Sequence, residues 1–103
     1  MANPPVNKSC LHLVTRLSSE ALQSCNAFRG EQDEILLIDD AVMFLVSEPG
    51  ESQSAGLADA VFLIADLEAR GLAEIATELG VRTITDLEFA ALLRRHDSCL
   101  TWK

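Results

Sequence analysis

Along the chain, short apolar runs alternate with longer stretches in which apolar residues return every three or four positions. "CLHLVT" (10–15) reads as a first strand. "LSSEALQSCNAFR" (17–29) reads as the helix behind it, with Ser18 or Ser19 placed to cap its start and Gly30 at its stop. "EILLI" (34–38) is apolar almost throughout, the pattern of a strand covered on both faces. Asp39 and Asp40 follow where a second helix, "DAVMFLV", begins, and either suits the open N–H groups of that helix. Pro, Gly and Ser punctuate "SEPGESQSAGLA" (47–58), which reads as a loop. "AVFLIA" (60–65) is a third buried strand, and "DLEARGLAEIATEL" (66–79) is one helical turn, a break at Gly71 and a second helix ending at Gly80. "VRTIT" (81–85) makes a fourth strand. "DLEFAALLRRH" (86–96) is an amphipathic helix with Asp86 as its cap, and Arg94, Arg95 and His96 complement the dipole at its end. "SCLTW" (98–102) is a fifth strand.

Strand–helix alternation with apolar strands predicts a three-layer α/β/α domain on a mostly parallel sheet of about five strands. Residues 1–9 form a polar leader with two prolines, expected to be flexible, and residues 10–103 form a single domain.

Composition narrows the chemistry. The hydrophobic share of 49% is enough for a core in 103 residues, although a domain this small gains from a partner subunit. A formal charge of −8 argues against direct binding to nucleic acid and to anionic membrane surfaces. "MANPPVNKSC" has no apolar segment of the signal-peptide kind, and the longest apolar run, "AVMFLV" (41–46), is far short of a membrane span. The expected location is therefore the cytoplasm, with Cys10, Cys25 and Cys99 reduced. No metal site is expected, since there is no C-x-x-C and no His/Cys cluster. No cofactor is expected either: the Rossmann and P-loop glycine patterns are absent, as is the G-x-S-x-G nucleophile elbow. His12, inside a strand, and His96, at a helix end, stand apart from any nucleophile and read as structural or solvent-exposed. Asp39 and Asp40 are adjacent at a helix start, point in different directions, and read as caps rather than a proton-sharing pair.

Cys25 is the thiol of interest. Leu17, Ala21, Cys25 and Phe28 lie on one helical stripe, which makes Cys25 a small core residue by periodicity. Arg29, one turn away, can lower its pKa only if the two side chains converge. Cys10 and Cys99 fall at strand edges and read as structural.

The order of these pieces resembles the TusB/DsrH family of small subunits in bacterial sulfur-relay complexes. "LHLVTR" (11–16) is similar to that family's first strand, and "ILLIDDAV" (35–42) to its apolar strand, acidic residue and apolar helix. "ADLEARGL" (65–72) resembles its D-L-x-A-R-G segment, and "DLEFAALLRRHDSCLTW" (86–102) its last helix and terminal tryptophan segment. Ala41 stands where the family usually has glycine, and "RLSSE" differs from its common K-S-P-type turn. The resemblance implies a DsrE/DsrF/DsrH-like fold. It also implies assembly with TusC/DsrF-like and TusD/DsrE-like subunits into a heterohexamer, with a TusE/DsrC-like sulfur acceptor. Such complexes pass sulfur as cysteine persulfide, toward tRNA wobble-uridine 2-thiolation in the Tus branch or sulfur oxidation in the Dsr branch.

DsrH-like members carry a cysteine in the first helix, so the resemblance sets a persulfide-carrier role for Cys25 beside the packing one. The principal sulfur-carrying cysteine of these complexes is on the TusD/DsrE-like subunit, which implies an accessory or structural role here. Among the other matched residues, Asp40 belongs to the acidic position after the second strand, and Asp66 is placed to cap the turn after the third. Arg70 is expected to bond nearby carboxylates or carbonyls, and Gly71 to permit the backbone break. Trp102 is read either as an interface anchor or as packing within its own subunit.

Overall fold

A computed structural model describes residues 8–47 and 59–103. Five strands run β1 (Cys10–Val14), β2 (Glu34–Leu37), β3 (Val61–Leu63), β4 (Arg82–Ile84) and β5 (Ser98–Trp102). They form one parallel sheet in the order β4-β3-β2-β1-β5. Between them lie α1 (Ser19–Phe28), a 3₁₀ helix (Asp39–Leu45), α2 (Ile64–Ala69), α3 (Ala73–Leu79) and α4 (Asp86–Arg95). This is the α/β/α arrangement expected from the alternation, and the strands are the runs read from the pattern, shortened by one or more residues at most ends.

Side-chain alternation divides the core between the sheet faces. Val14, Ile35, Leu37 and Phe62 face Leu22 and Cys25 of α1, Phe44 of the 3₁₀ helix, Leu67 of α2 and Ala76 of α3. On the other face Leu11, Leu36, Val61, Leu63 and Ile84 meet Leu92, with Phe89 packed beside them, both from α4. Each step from β1 to β4 moves to the next strand on the same side, so its right-handed crossover places the helices on one face. The step from β4 to β5 returns across the sheet and puts α4 on the other.

Several local expectations are corrected. The cap of α4 is Thr85, not Asp86: its hydroxyl accepts from Glu88 N–H at 3.1 Å, and Glu88 Oε1 accepts from Thr85 N–H at 2.9 Å. Thr85 has the extended backbone a cap needs, whereas Asp86 is already in the first turn. Neither Asp39 nor Asp40 caps the second helix; that position is Ile38, with no side-chain bond. Asp66 does not cap its own helix, whose N-cap is Leu63. Ser18 caps α1 as expected, accepting from Ala21 N–H at 3.2 Å, but Arg29 rather than Gly30 closes it. The expected stripe on α1 is buried only at Ala21 and Cys25, because the core-facing side runs through Leu22, while Leu17 (49%) and Phe28 (63%) are exposed.

Gly71 (φ 70°) and Gly80 (φ 69°) take the left-handed conformation that favours glycine, the first turning the chain from α2 into α3 and the second ending α3. Of the leader expected over 1–9, residues 1–7 lie outside the described residues. Ser9 is tied to the start of β5: its N–H donates to Asp97 Oδ2 at 2.9 Å and its carbonyl accepts from Asp97 and Ser98. Residues 48–58 of the expected loop also lie outside the described residues.

Candidate functional site

Sheet topology brings three polar clusters together. The first is buried beneath α1. His12, on β1, faces the same side as Cys10 and Val14, and the parallel register sets β5 beside it. Trp102 Nε1–H donates to His12 Nδ1 at 3.0 Å, and His12 Nε2 lies 2.7 Å from Asp33 Oδ2. An indole nitrogen only donates, so Nδ1 accepts, and Nε2 carries the proton given to Asp33. His12 is thus held as one neutral tautomer with both ring nitrogens occupied. Phe28 closes the cluster, its ring centroid 6.1 Å from His12 and 5.8 Å from Trp102.

Asp33 gathers donors from three directions: His12, Cys10 N–H at 2.9 Å and Gly30 N–H at 2.9 Å. Burial pushes its carboxyl up, but the bonds from Gly30, His12 and Cys10 outweigh that and hold it below the usual aspartate value.

Cys25 lies fully buried on α1 near this cluster. Burial pushes its thiol up to about 11; Arg29 lowers it, while Cys10 and Asp33 add to the rise. Cys25 is therefore a protonated thiol at neutral pH in this conformation. His12 cannot serve it as a base, since both ring nitrogens are already engaged. Cys10 is buried and Cys99 exposed, the latter with its thiol also pushed up by partial burial.

The second cluster stands at the carboxyl ends of β2 and β3. Arg70 Nη2 donates to Asp39 Oδ1 at 2.7 Å and to Asp40 Oδ1 at 2.9 Å, so the adjacent carboxylates converge on one guanidinium instead of diverging. Asp66 Oδ2 accepts from Asp39 N–H at 2.6 Å, and Arg70 Nη1 reaches the Asp66 carbonyl at 3.4 Å. Asp39 sits at φ 53°, a left-handed conformation that costs a non-glycine residue on the order of 1–2 kcal/mol. These bonds hold it there. Asp40 thus meets Asp66 and Arg70, which lie one helical turn apart and about a quarter of the chain away in sequence, with Gly71 next to Arg70. Asp39 and Asp40 also line an open cleft of about 810 Å³ with Thr15, Arg16, Leu17, Met43 and Lys103, beyond the carboxyl ends of β1, β2 and β5. Trp102 is not in this cluster; its indole belongs to the His12 network.

The third cluster joins the start of β2 to the end of α4. Glu34 Oε1 accepts from Arg95 and lies 2.8 Å from His96 Nε2. Burial pushes the Glu34 carboxyl up, and the Arg95 and His96 bonds bring it below its usual value. The His96 ring is buried with Nδ1 unpartnered.

Nothing in the sequence marks Asp33, and His12 reads there only as structural or solvent-exposed. One signal was available: a histidine inside an apolar strand needs a buried hydrogen-bond partner. Its identity was not legible, because Asp33 and Trp102 are 21 and 90 residues away. Among the described residues no group of three or more His, Cys, Asp or Glu side chains is arranged to hold a metal ion. No helix among them is long and apolar enough to cross a membrane.

No curated protein matches the chain significantly. A family model described as "DsrH like protein" matches residues 16–99. That span runs from just after β1 into β5 and includes Cys25, the Asp39–Asp40–Asp66–Arg70 cluster and the capping box of α4. On this match and the parallel α/β/α fold, the chain belongs to the DsrH-like protein family.

Proposed function

We propose that this chain is an accessory, non-catalytic subunit of a cytoplasmic sulfur-relay complex. It works beside TusC/DsrF-like and TusD/DsrE-like subunits in a heterohexamer that hands persulfide sulfur to a TusE/DsrC-like acceptor. Within that class it is TusB-like, serving 2-thiolation of the tRNA wobble uridine without touching RNA itself. The observation that carries the accessory role is the state of Cys25. Sulfur transfer needs a thiolate to attack the outer sulfur of a donor persulfide, releasing the donor cysteine as thiolate. A fully buried thiol with a pKa of about 11 supplies neither the anion nor the approach.

The test is transfer in the reconstituted complex. Wild-type and Cys25→Ser chains are assembled with their partners, loaded by a cysteine desulfurase, and mapped by peptide mass spectrometry for added sulfur, about 32 Da per persulfide. An accessory subunit leaves assembly and transfer intact in Cys25→Ser, with sulfur on the TusD-like partner. Sulfur on Cys25, with transfer lost in the variant, establishes a carrier role and overturns the accessory one.

A further inference from the structure

The two edges of the sheet differ. β4 has three residues and begins at Arg82, the short, charged edge that resists pairing. β5 has five residues, Ser-Cys-Leu-Thr-Trp, with no charge, proline or glycine. Among the described residues no strand lies outside it. Ser98 N–H donates to the Ser9 carbonyl at 3.2 Å, and the Trp102 carbonyl accepts from Thr15 N–H at 3.2 Å. Residues 98 and 102 therefore turn their backbone toward β1. Since direction alternates along a strand, Cys99 and Thr101 present their N–H and C=O groups to the open side. Leu100 is 39% exposed on the α1 side, the side that also carries the exposed Phe28.

We propose that β5 pairs with β5 of a second copy of this chain, antiparallel about a two-fold axis through Leu100. This inference is independent of the sulfur-relay reading. The occupant follows from charge. In that register Cys99 of one copy faces Thr101 of the other, and the two exchange both backbone bonds. Leu100 meets Leu100 at the axis. Asp97, flanking one end of the strand, comes opposite Lys103, flanking the other end, and symmetry makes the pair twice. A chain of formal charge −8 repels its copies over most of its surface. This edge is neutral and bracketed by one acid and one base, so it complements itself. The two sheets become one, the open donors and acceptors of Cys99 and Thr101 are paired, and Leu100 is covered.

Sedimentation velocity on the full purified chain, with a cysteine cross-link, tests this. Thr101→Cys places a thiol directly opposite Cys99 of the second copy, at the Cα separation of about 5.5 Å that permits a disulfide. Mild oxidation is expected to give a covalent dimer in which Cys99 of one copy is joined to the thiol introduced at position 101 of the other. A Glu78→Cys control, on exposed α3, is expected to stay uncross-linked. Lys103→Glu sets two like-charge pairs in the interface and is expected to weaken the dimer about tenfold. Adding Asp97→Lys to it restores opposite charges and is expected to recover the association. A wild-type chain that stays monomeric at about 100 μM, or a dimer whose cross-links map elsewhere, overturns the proposal. A β5 edge that pairs only with a strand of a different protein overturns it as well.

Discussion

Asp33→Ala isolates what the buried polar cluster contributes. The substitution removes the acceptor for three donors of unequal exposure. His12 has no contact with solvent, so its Nε2–H is left unsatisfied, at a cost of about 1–3 kcal/mol. Cys10 N–H is part-buried and loses a bond to a charged group, a loss of about the same size. Gly30 is exposed, and water replaces its bond at little cost. The expected loss is about 3 kcal/mol, which lowers the urea midpoint by about 2 M for a slope near 1.5 kcal/mol per molar. The lone tryptophan, Trp102, reports the transition by fluorescence from inside the same network. Asp33→Asn is expected to recover little, because in either orientation its amide NH₂ meets a donor, from Cys10 on one side or from His12 and Gly30 on the other. A cost below about 0.5 kcal/mol, the range of an ordinary surface change, would refute the reasoning.

The same carboxylate fixes a pH dependence. Its folded pKa is depressed below the unfolded value near 3.9. Its contribution is therefore present above pH 3.9 and lost as pH falls through the folded pKa. Glu34, also depressed, acts in the same direction. Acid titration of wild type should show stability falling below about pH 4, and Asp33→Ala should show a shallower fall. Equal slopes in the two proteins would contradict that assignment.

Two further predictions concern local backbone. Thr85→Ala breaks the capping box and should cost about 1 kcal/mol in urea unfolding, whereas Asp86→Ala should stay within about 0.5 kcal/mol; the reverse order would return the cap to Asp86. Asp39→Ala loses the Arg70 bond and keeps an unfavourable left-handed φ, while Asp39→Gly loses the bond but relieves the backbone. Thermal melts should therefore place Asp39→Gly about 1 kcal/mol above Asp39→Ala, and equal melts would show that the φ carries no strain.

Strand and helix order, the parallel three-layer class and the breaks at Gly71 and Gly80 were legible in the sequence, because they follow from apolar periodicity and from glycine's freedom at left-handed φ. The D-L-x-A-R-G segment and its acidic partner positions were legible as a pattern. Their convergence on Arg70 was not, since it depends on β2 and β3 being neighbours. The same holds for His12, Asp33 and Trp102: a buried imidazole announces that it needs partners, but only the placement of β5 beside β1 says which ones. Cys25 shows the division most clearly. Its helical phase placed it toward the core from local periodicity alone. The rise of its thiol to about 11 was decided by the tertiary structure, because desolvation and the charges of Asp33 and Arg29 depend on packing through space. The cap at Thr85 instead of Asp86 is a smaller case, set by which residue turns extended as β4 leaves the sheet. What the sequence by itself determined is therefore what adjacent residues do to one another, and the tertiary structure decided which distant groups share a dielectric and a hydrogen bond.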